Sequence, residues 1–80
     1  MARKEDLQDW VIESLNLFGG KASIITICKK IWEKHEAELK KSGDLFYTWQ
    51  YDVRWAAQTL RDKGILKAAK SSPKGIWILR

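Results

Sequence analysis

Three segments of the chain repeat apolar residues every three or four positions, and the rest reads as short apolar runs between turn residues. The first, "EDLQDWVIESLNLFGG", places Leu7, Trp10, Val11, Leu15 and Phe18 at helical spacing. Acids at its amino end suit the helix dipole, and Gly19-Gly20 stops it. "KAS" follows, too short for more than a brief strand. Ser23 is a good N-cap for the next helix. In "IITICKKIWEKHEAELKK" the stripe Ile24, Ile27, Cys28, Ile31, His35 and Leu39 is expected to be buried, with Lys29, Lys30, Glu33, Lys34 and Glu36 facing solvent. "SGD" at 42–44 breaks the chain, and a third helix is expected from Thr48, as N-cap, to just before Gly64.

Beyond Gly64 the period changes. "ILKAAK" and "GIWILR" read as two strands rich in β-formers, joined by the turn residues of "SSPKG". A hairpin with a basic tip is predicted. The order is three helices and a C-terminal β-hairpin, with a brief strand between the first two helices. This is the order of an α+β, mostly helical fold, the winged helix-turn-helix, as a single domain over residues 1–80.

The third helix has two unlike faces. Trp49, Val53, Ala56, Ala57 and Leu60 cluster on one, where the alanines allow close approach to the other helices. Tyr47, Tyr51, Arg54, Trp55, Gln58 and Arg61 fall on or beside the other. Arginine and glutamine offer two-point hydrogen bonding to guanine and adenine, and aromatics can meet sugars, thymine methyls or an unstacked base. Trp55 has two readings at this point: a surface contact, or a side chain leaning on the hairpin and locking it to the helix.

Charge sharpens this picture. The net charge is +5. Residues 1–46 balance eight cations with eight acids, whereas residues 47–80 carry seven cations and two acids. All the excess lies in the segment that holds the third helix and hairpin, as an electrostatic footprint for a polyanion would. Lys67, Lys70 and Lys74 fall on the hairpin or at its tip, where a wing meets phosphates. The plainer role of such lysines is to discourage edge-to-edge strand pairing.

At these residues the chain resembles the amino-terminal winged-helix domain of Mrr-type restriction endonucleases. The resemblance is carried by Arg54, Trp55, Ala56, Leu60, Gly64, Ile65 and Leu66, and by Pro73, Gly75, Ile76, Trp77 and Leu79. Upstream, "ESLNLFGGKASIITICKKI" is similar to the family's first helix, Gly-Gly junction and second helix. The resemblance implies binding to double-stranded DNA and, because the family's nucleases attack modified DNA, a role in sensing methylated bases. It pairs that domain with a nuclease for which these 80 residues have no counterpart. A free-standing reader, a regulator, or one module of a longer protein is therefore expected, with a homodimer as an open alternative.

Little in the chain suits catalysis. His35, the single histidine, lies on an apolar stripe and reads as a satisfied, partly buried side chain. Cys28, the single cysteine, reads as a small core residue; no disulfide, metal site or cofactor is expected. "EAELK" has the Glu-x-Lys spacing of many nucleases, but on an amphipathic helix its charges form a solvated face. No apolar run is long enough to span a bilayer, "MARKEDLQDW" lacks the core of a signal peptide, and a cytoplasmic protein fits best. The competing function is a protein-docking module or transcriptional regulator, with Trp32, Trp49 or Trp55 as exposed anchors.

Overall fold

In the computed structural model, which describes residues 2–80, the three periodic segments fold as α1 (Asp6–Leu17), α2 (Ile24–Lys40) and α3 (Leu45–Asp62). Strand β1 (Lys21–Ser23) separates α1 from α2, and β2 (Ile76–Ile78) lies near the carboxyl end. Two helix ends follow directly from glycine. At α1 the amide of Gly20 donates to the carbonyl of Leu15 at 2.7 Å and that of Gly19 to Asn16 at 3.3 Å. At α3 the amide of Ile65 donates to Leu60 at 2.9 Å and that of Gly64 to Arg61 at 3.0 Å. Both are Schellman closures, which need a left-handed residue just past the helix; Gly19 and Gly64 supply it with φ of 77° and 78°. The start of α2 is equally legible: Ser23 Oγ accepts from the amide of Thr26 at 3.1 Å.

The third helix starts earlier than its sequence suggests. Thr48 does not cap it; its Oγ1 donates instead to Asp52 Oδ2 at 2.7 Å, one turn along. The helix begins at Leu45, with Asp44 at the N-cap making no side-chain cap bond. Leu45 is buried, so the apolar contact extends the helix toward Gly43 in place of a polar cap.

The carboxyl end departs further from expectation. β1 and β2 pair antiparallel, with Lys21 opposite Ile78, Ala22 opposite Trp77 and Ser23 opposite Ile76. "ILKAAK" is not a second hairpin strand. It meets the sheet only at the Leu66–Leu79 bridge, with the Lys67 amide donating to Ile78 and the Arg80 amide to Ile65, both at 2.9 Å. Ala69–Ser71 then forms a short 3-10 turn, and Ser72 Oγ donates to the carbonyl of Ala68. The physical reason is composition: after Leu66 the segment has no β-branched or aromatic side chain to hold a pleated edge. The expected hairpin is thus one bridge closed by a wide basic turn.

The core fills the space these elements enclose. Leu7, Val11 and Leu15 of α1, Ile27, Ile31 and Leu39 of α2, and Val53, Ala56, Ala57 and Leu60 of α3 are all buried, joined by Leu66 and Trp77. The most extensive helix–helix packing is between α1 and α3, and Ala56 and Ala57 of α3 are buried. Each fully buried leucine contributes about 2 kcal/mol of apolar transfer energy. α2 kinks at His35, whose φ of −126° and ψ of 18° are not helical. The ring there stacks on Trp10, 3.9 Å between centroids and 6° between planes. Its Nδ1 lies 3.0 Å from Glu38 Oε1 and its Nε2 3.0 Å from Glu13 Oε1. This is the satisfied histidine expected from its stripe, clamped between α1 and α2. Among the described residues no helix is long and apolar enough to cross a membrane.

Candidate nucleic-acid interface

Residues four, then three, apart on a helix return to the same face. Tyr47, Tyr51, Arg54, Gln58 and Arg61 follow this spacing along α3. Tyr47 and Tyr51 are 83% and 77% exposed, the two most open of the large hydrophobic side chains among the described residues. Tyr47 meets the edge of Phe46 at 5.0 Å. Arg54 and Gln58 are exposed, and Gln58 Nε2 donates to Asp62 Oδ1 at 3.1 Å, which leaves its carbonyl oxygen as the free acceptor. Arg61 is half-buried because its Nε donates to the carbonyl of Lys67 at 3.2 Å. That bond ties the end of the stripe to the chain leading into the basic turn, where Lys67, Lys70 and Lys74 are exposed.

None of these five cations is neutralised by the protein. Among the described residues the ion pairs are Lys30–Glu33, Lys40–Glu36 and the two histidine contacts, and none involves Arg54, Arg61, Lys67, Lys70 or Lys74. The charge asymmetry of the sequence therefore becomes a set of unpaired cations on the outer face of α3 and on the turn, joined where Arg61 meets Lys67.

Trp55 lies at the edge of that strip, one helical turn from Tyr51 and Gln58, and is 37% exposed. One residue from Arg54, it points roughly 100° away around the helix. Its side is shared with Thr48, Asp52, Thr59 and Asp62, the flank that carries both acids of α3. Nζ of Lys4 lies 4.2 Å from the Trp55 ring centroid, so a cation from the amino-terminal segment rests on one face of the ring. On the same flank Nζ of Lys63 donates to Gln8 of α1 at 2.9 Å. Trp49 is buried and Trp32 is half-buried against it, with centroids 6.1 Å apart, so Trp49 is no exposed anchor.

Two concavities flank the strip, and sequence reasoning assigned neither. Between α2 and α3 an open groove of about 800 Å³ is lined by Ile24, Ile25, Cys28, Lys29 and Trp32 on one side, and by Phe46, Trp49, Gln50, Tyr51 and Arg54 on the other. Cys28 is only half-buried there. Burial pushes its thiol pKa up, and the Arg54 guanidinium across the groove opposes that push. The second concavity, about 440 Å³, is lined by Arg61, Leu66, Lys67, Ala68, Ser71 and Arg80. Arg80 adds a cation that the helical wheel could not show, since it reaches this place through the sheet. The legible signal for the first groove was Ile25, an apolar residue off the buried stripe and 69% exposed.

Among the described residues no group of three or more His, Cys, Asp or Glu is placed to hold a metal ion. Comparison of the chain with protein-family models, with curated proteins and with solved structures finds no match in any of the three.

Proposed function

We propose that this domain is a winged helix-turn-helix that binds double-stranded DNA, with the outer face of α3 in the major groove and the basic turn along the backbone. The observation that carries this reading is that Arg54, Gln58, Lys67, Lys70 and Lys74 are exposed, that Arg61 joins α3 to the chain at Lys67, and that none of these cations is in an ion pair among the described residues. The one carboxylate beside these groups, Asp62, binds Gln58 and pairs with none of the cations, and duplex DNA is the common polyanion whose groove admits a helix.

The roles divide by chemistry. Arg54 and Gln58 carry planar donor and acceptor groups suited to base edges. Tyr47 and Tyr51 offer aromatic surface to sugars or base methyls at the amino half of α3. Arg61, Lys67, Lys70 and Lys74 hold phosphates and set affinity rather than sequence preference. The likeness in sequence to the recognition domain of Mrr-type enzymes supports this assignment and adds a modified base as the feature being read. On this reading the chain is a binding module rather than a catalyst, acting in a restriction system or as a regulator.

A gel-shift titration of the protein with duplex DNA at two salt concentrations tests the proposal. With about four phosphate contacts, the log–log dependence of affinity on salt should have a slope near −4. Absence of binding at low salt, or binding indifferent to salt, would reject it in favour of a protein partner.

A further inference from the structure

The groove between α2 and α3 is too large for the methyl group of a paired base, yet its lining is specific in character. Its volume, about 800 Å³, falls within the range of small-molecule sites, roughly 300–1,000 Å³. Trp32, Phe46 and Tyr51 supply aromatic surface, with Ile24, Ile25 and Cys28 between them. Trp32 and Phe46 already pack on each other, 6.3 Å between centroids. Ile25 and Tyr51 remain open to solvent at 69% and 77% exposure, apolar surface that a flat ring would cover. The charged lining residues are Lys29 and Arg54, both cations, and no carboxylate lines the groove. An aromatic site rimmed by cations alone suits a planar ligand carrying an anionic group.

We propose that this groove accepts one unpaired nucleotide, its base against Trp32, Phe46 and Tyr51 and its phosphate against Lys29 and Arg54. The placement rests on the DNA-binding reading, because Tyr51 and Arg54 belong both to the groove and to the α3 strip. A strand tracked by the strip reaches the groove without leaving the protein surface. Base–aromatic stacking is tolerant of base identity, so the groove selects for an unstacked nucleotide more than for a particular base. A second copy of the chain is a poorer occupant. Each copy carries +5, and the groove rim would bring like charges together.

Cys28 provides the readout, since it is the single cysteine and lies within the groove. Its rate of alkylation by iodoacetamide is measured with a fully paired duplex, with the same duplex carrying one unpaired adenosine, and with adenosine monophosphate. The duplex with the unpaired nucleotide should bind about tenfold more tightly than the paired one, the scale of one stacking contact, and should slow alkylation most. Ile25→Ser, at an exposed position that folding does not need, should shrink the ratio between the two duplexes. Protection by adenosine monophosphate without discrimination between duplexes would support the groove with a free nucleotide as its ligand. Equal binding of both duplexes, with no protection by the mononucleotide, overturns the groove and leaves the DNA reading standing. If neither duplex binds but the mononucleotide protects, the groove stands and the DNA reading falls. Protection that grows with protein concentration alone overturns the proposal in favour of self-association.

Discussion

Arg54 and Trp55 are neighbours in the chain but serve different sides of α3. Arg54 lines the groove with Tyr51 and opposes the effect of burial on the Cys28 thiol. Trp55 lies beneath Lys4, on the flank that holds Asp52 and Asp62. One step of the helix separates a side chain that lines the groove from one that meets the amino-terminal segment.

This separation predicts opposite outcomes for two adjacent substitutions. Arg54→Ala should cost about 1–3 kcal/mol of DNA binding, concentrated on particular sequences, as loss of a bidentate base contact does. Trp55→Ala should lower thermal stability by about 0.5–1 kcal/mol through the lost Lys4 contact and change DNA affinity little. Titrations of both variants against two duplex sequences, with a melting curve for each, check the pair. A larger affinity loss for Trp55→Ala than for Arg54→Ala would reverse the assignment.

The lysines of the basic turn should behave uniformly. Lys70→Ala or Lys74→Ala is expected to weaken binding to every duplex alike and to reduce the salt slope by about one unit each. An unchanged slope in either variant would remove that side chain from the backbone contacts.

Much of this arrangement was legible from residues alone, for reasons that are local. The glycine closures after α1 and α3 and the Ser23 cap depend on chemistry confined to a few neighbouring residues, so the sequence displays them. The α3 stripe follows from helical period in the same way. What the sequence concealed depends on contacts across the fold. Leu45 extends α3 because it meets the core, which overrides the polar signal of Thr48. The pairing partner of β2 is β1, from the other end of the chain, while "ILKAAK" meets the sheet at one bridge. Lys29 and Arg80 join the concavities only through tertiary placement, and Trp55 meets Lys4, more than fifty residues away.

Recognition of a base methyl is predicted to be modest in energy. Burying one methyl group against Tyr47 or Tyr51 is worth about 0.8 kcal/mol, roughly fourfold in Kd. Titration with methylated and unmodified duplexes of one sequence measures it directly; equal affinities would end the modified-base reading.

His35 is predicted to be a stability residue. Its ring stacks on Trp10 and bridges Glu13 and Glu38, so it joins α1 to the kink of α2. His35→Ala should destabilise the fold by about 1–3 kcal/mol, from lost stacking and unpaired polar partners, without altering the salt dependence of DNA binding. The denaturation midpoint reports the first effect; an unshifted midpoint would contradict it.

Amide chemical-shift mapping of the protein titrated with duplex DNA locates the bound surface residue by residue. Perturbations are expected along Tyr51, Arg54, Gln58 and Arg61 and through the 67–74 turn, with α1 and Lys4 quiet. Shifts confined to α1 and the acidic side of α3, or no shifts at low salt, would contradict it.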